Sequence, residues 1–397
     1  MMTKEFTTFI TAHCNDDATR LRMRFRGDSR EWLPLAIAHI EAHKKGRRKL
    51  ASLPEEWIFP SSTAVEQATP FMTAAYNIQV AATAAGKPLE DCRVLDMTAG
   101  LGMDALGFAR AGSKITLLEM NALHADALNE NFREYGNVKI VKGDSVQWLK
   151  EYVGESFDII FIDPARRTDS GGRVYNLHDC APDLIEIAPL ILGKCRLCIA
   201  KLSPMLDITQ TLRDLPLCHQ LHVVEEGGEC RELLAVMQSD CHDETPVVVV
   251  HKEGVTWSGK IGEPAMKTPF LKPEAGMFIM EPSPVVAKGM DPGHICGYGL
   301  SMLAPNSHLF VGEKITEPSL GRWSRVEEVM DFSGSRLKEI GKRIGAAEVI
   351  AKNLPGMTSD SLRKRLGIAE SAERRVIGTS LADGRKIIIL AGKRFQP

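Results

Sequence analysis

The stretch Arg93-Val-Leu-Asp-Met-Thr-Ala-Gly-Leu-Gly-Met-Asp104 decides the fold predicted for this chain. Val94 and Leu95 end an apolar run that predicts a buried strand over Arg93–Met97. The segment Met103–Ala111, which follows the turn, is predicted to be a helix. Between them, Gly100 and Gly102 predict a tight turn, where the lack of a Cβ lets backbone pass close to a ligand. This order is typical of the first βαβ unit of a nucleotide-binding fold.

Strands and helices alternate from Cys92 to Gln238, which predicts a doubly wound, mainly parallel sheet. The predicted strands are Arg93–Met97, Lys114–Glu119, Val138–Val141, Phe157–Ile162, Cys195–Ala200, Leu217–Val224 and Glu232–Gln238. The predicted helices between them are Met103–Ala111, Ala122–Tyr135, Val146–Tyr152, Ala181–Leu192 and Leu206–Leu212. Ligands of such sheets bind at the carboxyl ends of the strands. The predicted fold class is therefore α/β, with a Rossmann-like core.

Four regions are predicted along the chain. Residues 1–90 form an N-terminal helical region, 91–240 the core, 241–325 a small α+β insert and 326–397 a C-terminal α+β domain. In the first region, Thr69-Pro70 predicts a helix start, with the threonine as N-cap and the proline at the first helical position. In the last region, Asp383-Gly384 between two β-rich runs predicts a hairpin.

Composition indicates an ordinary globular protein: 44% of the 397 residues are hydrophobic and 25% are charged. No apolar run approaches the roughly 20 residues that span a bilayer, and the first residues lack the apolar region of a secretory signal. Nine cysteines without framework spacing indicate reduced thiols. The expectation is a cytoplasmic protein that does not enter a membrane.

Charge is unevenly distributed, although the formal net charge is only −2. Lys and Arg against Asp and Glu number 11 and 8 in residues 1–60, 22 and 34 in residues 61–320, and 16 and 9 in residues 321–397. A basic final region beside an acidic middle is a hint of a nucleic-acid partner. A solvated basic face is an equally good alternative at this point.

Two cofactor classes fit the glycine turn. Residues Gly100–Ala105 match the relaxed dinucleotide pattern G-x-G-x-x-A, and Glu119 ends the next predicted strand at about the expected distance. Asp96 argues against a dinucleotide, because its carboxylate lies where the pyrophosphate would approach. Unit charges about 4 Å apart repel by roughly 1–4 kcal/mol in high to moderate dielectric.

S-adenosylmethionine (SAM) suits the same acids better, because it carries an α-ammonium group in place of a pyrophosphate. Glu119 can accept hydrogen bonds from both ribose hydroxyls, and Asp144, after the third predicted strand, can accept one from the adenine amino group. The predicted cofactor-binding residues are Asp96, Gly100, Gly102, Asp104, Glu119 and Asp144.

Because of these residues, the segment 92–238 resembles a class I SAM-dependent methyltransferase core, with Asp96–Gly102 as its first motif. The whole chain is similar to a bacterial family with a trimethylguanosine-synthase-like core, a ferredoxin-like insert and a C-terminal THUMP-like domain. The stretch Ala347–Thr358 carries the last resemblance. THUMP domains belong to RNA-modifying enzymes, so the resemblance implies SAM as cofactor and RNA, either tRNA or rRNA, as partner of the basic C-terminal domain.

The acceptor is expected after the fourth strand, at Asp163-Pro164-Ala165-Arg166-Arg167. Amino-group methyltransferases commonly carry Asp/Asn-Pro-Pro-aromatic here, and the carboxylate or amide and a backbone carbonyl hold the target amine. The predicted catalytic residues are Asp163, Pro164 and Arg166. Arg166 stands at the position where the pattern has an aromatic residue. Its guanidinium can stack on a base or bind a phosphate. Tyr175 and His178 are candidates to replace the aromatic.

Two further patterns have competing explanations. Cys195-Arg-Leu-Cys198 has C-x-x-C spacing, but on a strand the two thiols face opposite sides and no second pair completes a zinc site, so no metal is expected. Lys201-Leu-Ser-Pro204 follows the fifth strand and is predicted to face substrate, ahead of Glu229-Cys-Arg-Glu232, which a turn explains as well. A protein or small-molecule acceptor, a nicotinamide-dependent oxidoreductase and a catalytically inactive RNA-binding protein stay open as alternatives.

Overall fold

The computed structural model describes residues 4–166, 176–240, 245–260 and 267–395, without the side chain of Arg166. The chain forms two compact units. The first comprises Met1–Glu226 and Arg231–Pro246, and the second comprises Gly227–Cys230 and Val247–Pro397. In the parts of the chain just given, no helix has the length and apolar character needed to cross a membrane.

The first unit has helices on both sides of a sheet. Its helices are α1 Lys4–His13, α2 Ala18–Arg24, α3 Leu33–Lys49, α4 Ser62–Gln67, α5 Phe71–Ala85, α6 Met103–Arg110, α7 Ala122–Asn131, α8 Ser145–Glu151, α9 Leu184–Leu192 and α10 Ile208–Asp214. Its strands are β1 Arg93–Asp96, β2 Lys114–Glu119, β3 Val138–Lys142, β4 Phe157–Ile162, β5 Ala165–Arg166, β6 Cys180–Ala181, β7 Cys195–Leu202, β8 Cys218–Glu226 and β9 Glu229–Gln238.

The main sheet of this unit runs in the order β8-β9-β7-β4-β1-β2-β3. β1 pairs in parallel with β2 and β4, β2 with β3, and β4 with β7, whereas β7 and β9 are antiparallel. The predicted α/β class is confirmed. Because parallel strands point the same way, the carboxyl ends of β1, β2, β3, β4 and β7 meet at one sheet edge.

The central strands are rich in buried apolar residues because helices cover both sheet faces, as is typical of parallel sheets. Val94, Leu95, Ile159 and Ile160 are all fully buried. Helix α9 begins at Leu184, three residues after the predicted start at Ala181, because the Asp183 side chain caps it by accepting from the Ile185 N–H at 3.0 Å.

The start of α5 corrects one expectation. The helix begins at Phe71, and Pro70 occupies the N-cap position with extended backbone, so Thr69 lies outside the helix and does not cap it. Its hydroxyl is used in a buried polar cluster instead. Gly86, at φ +65°, ends α5.

The second unit is built on a seven-stranded sheet. The strands of the unit as a whole are β10 Val247–Lys252, β11 Val255–Lys260, β12 Phe278–Pro282, β13 Ser301–Met302, β14 Phe310–Gly312, β15 Gly321–Asp331, β16 Glu348–Ala351, β17 Arg374–Ser380 and β18 Lys386–Gly392. Its helices are α11 Pro284–Gly289, α12 Pro292–Cys296, α13 Gly334–Ile344 and α14 Ser359–Leu366. The order of the seven strands is β13-β14-β12-β15-β18-β17-β16. β10 and β11 pair with each other antiparallel.

Residues of β18 alternate between two cores, as the two-residue period of a strand requires. Ile387 and Ile389 belong to one apolar cluster, whereas Ile388 and Leu390 pack with Leu337 and other residues of α13 and α14 on the opposite face. The predicted Asp383-Gly384 hairpin joins β17 and β18, which pair antiparallel. Strand β15 runs across the predicted boundary between residues 325 and 326, so one sheet joins the segments expected to be an insert and a separate C-terminal domain.

Candidate functional site

Asp96 and Asp163 lie at the carboxyl ends of two neighbouring strands, β1 and β4. Thr98 connects them, because its N–H donates to Asp96 Oδ1 at 2.9 Å and its hydroxyl accepts from the Asp163 N–H at 2.6 Å. Asp96 is 3% exposed. Burial raises the pKa of Asp96 to about 7, against the opposing hydrogen bond from Thr98. A carboxyl group with this pKa loses its proton readily when a cation binds beside it.

The two glycines of the turn after β1 have different roles. Both adopt positive φ, +53° at Gly100 and +83° at Gly102. A Cβ on Gly102 would lie 2.7 Å from the Phe132 ring, so this glycine is needed for the packing of α6 against α7. A Cβ on Gly100 would meet only the Thr98 carbonyl oxygen, at 3.8 Å, so this glycine leaves open space beside the turn.

Glu119 and Asp144 lie at the next two strand ends. Glu119 accepts hydrogen bonds from the N–H groups of Gly100, at 3.0 Å, and Asn121, at 2.7 Å, one on each carboxylate oxygen. Each oxygen keeps a second lone pair for a ligand donor. Asp144 is exposed and caps α8 with one oxygen, accepting from the Gln147 N–H at 2.8 Å.

A buried polar cluster lies beneath Asp163, centred on the ammonium group of Lys201 near the end of β7. Lys201 Nζ donates to Asp163 Oδ2 at 2.6 Å and to Thr69 Oγ1 at 2.7 Å, and it lies 3.4 Å from Asp104 Oδ2. The Asp104 carboxylate also accepts from the Thr69 hydroxyl and from Asn77 Nδ2, both at 2.9 Å. Protein donors thus occupy both oxygens of Asp104. The contacts of this carboxylate link α6 to α5 and β7.

Glu232, on β9, is the fourth ionisable member of this cluster, with Oε2 3.9 Å from Lys201 Nζ. Burial raises the pKa of Glu232 to about 8, although Lys201 opposes the shift. For Lys201, burial alone would lower the pKa, but Asp104, Asp163 and Glu232 outweigh it and hold the pKa well above its usual range. Glu232 Oε1 and Asn77 Oδ1 are buried and accept no hydrogen bond from the described part of the chain.

Asp163 is the member of the cluster that reaches the surface. Its side chain is 46% exposed, whereas that of Lys201 is 7% exposed. Pro164 is half-buried, and β5 begins directly after it at Ala165. A buried cation therefore holds one oxygen of an exposed carboxylate, and the carbonyl group of a proline lies next to it in the chain.

The remaining acceptor-side predictions have mixed outcomes. The backbone of Arg166 pairs with Cys180 across β5 and β6, and the Arg166 side chain is outside the described structure, as are Arg167 and Tyr175. His178 is exposed, and its ring Nδ1 lies 2.8 Å from Asp183 Oδ2. This hydrogen bond raises the pKa of His178.

Sequence reasoning predicted Lys201 near substrate but missed that it is buried and paired. A lysine inside the apolar run Cys195–Leu202 is the signal that was available, because a buried lysine needs carboxylate partners. Thr69 and Asn77 carried no comparable signal. Their partners lie 27 to 132 residues away along the chain.

Comparisons with known proteins match both units. The family model described as "Conserved hypothetical protein 95" matches residues 39–171, and the model "THUMP domain-like" matches residues 321–393. A solved structure described as a "putative methyltransferase" from Porphyromonas gingivalis W83 is 28% identical, with a TM-score of 0.82 over 98% of this chain and 97% of that one.

Two curated relatives match part of the chain. Ribosomal RNA small subunit methyltransferase J of Alkalilimnicola ehrlichii is 38% identical over 81 residues, which are 18% of this chain and 31% of the relative. Ribosomal RNA small subunit methyltransferase D of Buchnera aphidicola is 36% identical over 83 residues, 20% of this chain and 42% of the relative. The chain therefore spans less than half of either relative. The strand-end acids and the sheet order accompany a likeness over nearly the whole chain to a putative methyltransferase, and residues 321–393 match the THUMP domain-like model.

Proposed function

We propose that this protein transfers a methyl group from SAM to a nitrogen atom of an RNA nucleotide. The observation that supports it most directly is Asp163, an exposed carboxylate held by buried Lys201 at the sheet edge where Asp96 and Glu119 also lie. This arrangement puts a hydrogen-bond acceptor for substrate beside acids suited to an ammonium group and to ribose hydroxyls.

The residues present fit SAM. Glu119 retains lone pairs for ribose hydroxyls, Asp96 can ionise to pair with the α-ammonium group, and the free oxygen of Asp144 can accept from the adenine amino group. Gly100 leaves room for the ligand because it has no Cβ. When bound, SAM supplies an electrophilic methyl group. Asp104 is proposed to support the site from inside the protein, since its oxygens already have protein donors.

Asp163 and Pro164 are proposed to orient the acceptor. Lys201 occupies Asp163 Oδ2, so Oδ1 can accept a hydrogen bond from the N–H of an acceptor amine. The Pro164 carbonyl is a second acceptor for the same group. Two acceptors fix the direction of the nitrogen lone pair, and positioning of this kind can supply much of the rate enhancement without a general base. Arg166 remains a proposed contact to a base or phosphate of the substrate.

RNA is proposed as the substrate on two grounds. Both curated relatives are named as ribosomal RNA methyltransferases. The basic segment 321–397, with 16 Lys and Arg against 9 Asp and Glu, contains the THUMP-like match. Positive charge of this kind contributes sequence-independent affinity for the phosphate backbone.

The test is transfer of labelled methyl groups from SAM to fractionated cellular RNA, followed by nucleoside analysis. We expect label on a base nitrogen. Asp163→Ala should abolish transfer while calorimetry with S-adenosylhomocysteine (SAH) shows unchanged affinity. Asp179→Ala, which removes another exposed carboxylate, should retain activity. Label in protein instead of RNA would refute the substrate, and full activity of Asp163→Ala would refute the role of Asp163.

A further inference from the structure

The second unit contains a polar pocket of about 160 Å³, formed where β12 ends and α11 begins. Arg322, Lys352 and Arg394 line it, together with Glu281 and Ser283. A water molecule occupies about 30 Å³ in the liquid, so the pocket has room for a group larger than a few waters. All five residues lie outside the site of the first unit.

The pocket has a surplus of positive charge. The Glu281 carboxylate accepts from Arg394 Nη2 at 2.9 Å, lies 3.3 Å from Lys352 Nζ and pairs with fully buried Arg375. Burial alone would raise the pKa of Glu281, but these three cations outweigh it and hold the pKa below its usual range.

Glu348 is the other carboxylate in the group, at 3.0 Å from Arg375 Nε and 3.1 Å from Arg394 Nη2. Arg322, by contrast, is exposed and forms no ion pair with any residue that the structure describes. Among the described residues, four cations, with Arg322 included, therefore lie around two carboxylates. The excess of two positive charges is left for an anion.

Two hydrogen-bond donors in the pocket lining have no partner among the residues that the structure describes. The Ser283 hydroxyl is unpaired within the described residues, and so is Arg394 Nε, although both atoms are buried. Ser283 is 7% exposed and stands at the N-cap of α11, yet its side chain makes no capping hydrogen bond. Buried donors of this kind normally have a partner, so the lining is incomplete without an acceptor.

We propose that this pocket binds a phosphate group of an RNA strand. Phosphate oxygens accept several hydrogen bonds at once, and an arginine such as Arg322 presents a fork of donors that matches them. The hydroxyl of Ser283 and the Nε–H of Arg394 supply the remaining donors. The assignment of the phosphate to RNA rests on the proposed function, whereas the phosphate chemistry rests on the pocket alone.

The first experiment titrates the full-length protein with inorganic phosphate, followed by ³¹P NMR at constant ionic strength. Arg322→Gln removes the unpaired cation and should weaken binding about tenfold, the usual effect of losing one charge-assisted hydrogen bond. Ser283→Ala should weaken it several-fold, and removal of an unpaired hydroxyl should leave the thermal midpoint unchanged. Arg325→Gln is the matched control, because Arg325 is exposed on β15 but does not line the pocket. Equal phosphate affinity in all four proteins would refute the site.

The second experiment tests the source of the phosphate with a fluorescent single-stranded RNA. Inorganic phosphate should displace the RNA more effectively than chloride at equal ionic strength, and Arg322→Gln should remove that difference. Phosphate that binds without displacing RNA would overturn the RNA assignment. Neither titration depends on SAM. Intact phosphate binding without methyl transfer would therefore refute the proposed function alone, and methyl transfer without phosphate binding would refute the pocket alone.

Discussion

Replacing Glu232 by glutamine should make the stability of this protein less dependent on pH. Glu232 is 6% exposed, and burial raises its pKa from 4.5 to about 8 in spite of Lys201. Between these two pH values the folded chain holds a proton on Glu232 that the unfolded chain has lost. The free energy of unfolding therefore falls as pH rises through this window.

The magnitude follows from the size of the pKa shift. Each pH unit within the window changes the free energy of unfolding by about 1.4 kcal/mol per proton. From pH 5 to pH 8 the wild-type protein should lose about 4 kcal/mol relative to Glu232→Gln, because glutamine has no proton to lose. At pH 5, where Glu232 is protonated in the fold, the two proteins should differ little.

Urea unfolding at several pH values between 5 and 8, followed by circular dichroism, measures this difference. Groups that titrate in both proteins, such as Asp96, cancel when the two curves are subtracted. Glu229→Gln is the control, because it removes an exposed carboxyl group from the start of the same strand and should not reproduce the slope. A difference between Glu232→Gln and wild type that stays constant within about 1 kcal/mol would show that the folded protein holds Glu232 ionised.

Three further predictions concern the first unit. Wild-type affinity for SAH should fall up to about tenfold per pH unit below pH 7, because Asp96 must lose its proton to pair with the ammonium group, whereas Asp96→Asn should show no such slope by calorimetry. Equal slopes would contradict this role. Lys201→Met should lower the free energy of unfolding by about 3–5 kcal/mol, because the buried carboxyl groups lose their cation; a loss below about 1 kcal/mol in urea would contradict the cluster. Gly102→Ala should cost about 2–4 kcal/mol through its φ of +83° and its approach to the Phe132 ring. Gly100→Ala should cost about 1 kcal/mol of stability but weaken SAH binding. The two roles would be contradicted if thermal unfolding showed the larger loss of stability for Gly100→Ala and calorimetry the larger loss of SAH affinity for Gly102→Ala.

Local patterns were sufficient for most of the fold. The predicted strands Lys114–Glu119 and Phe157–Ile162 agree with β2 and β4. These segments have strong periodicity and clear end signals, so neighbouring residues alone determine their conformation. The Asp383-Gly384 hairpin was predictable for the same reason, because the turn residues and the flanking β-branched runs are adjacent in the sequence.

Thr69 shows where local reasoning fails. Its position before Pro70 predicted an N-cap, but its hydroxyl pairs with Asp104 and Lys201, which lie 35 and 132 residues further along the chain. A hydroxyl can satisfy a helix end or a buried ion equally well. The choice depends on what the rest of the fold brings near it.

By itself, the sequence determined the parallel α/β core, the glycine turn after β1 and the acids at the ends of β1, β2, β3 and β4. Strand ends follow from hydrophobic period and turn residues, and parallel pairing brings those ends to one edge. Only the tertiary structure decided that Lys201 is buried beneath Asp163, and that Asp104 and Glu232 lie beside its ammonium group. The physical reason is desolvation. A charged side chain is buried only where oppositely charged groups from distant segments pair with it, and no local sequence pattern predicts that pairing.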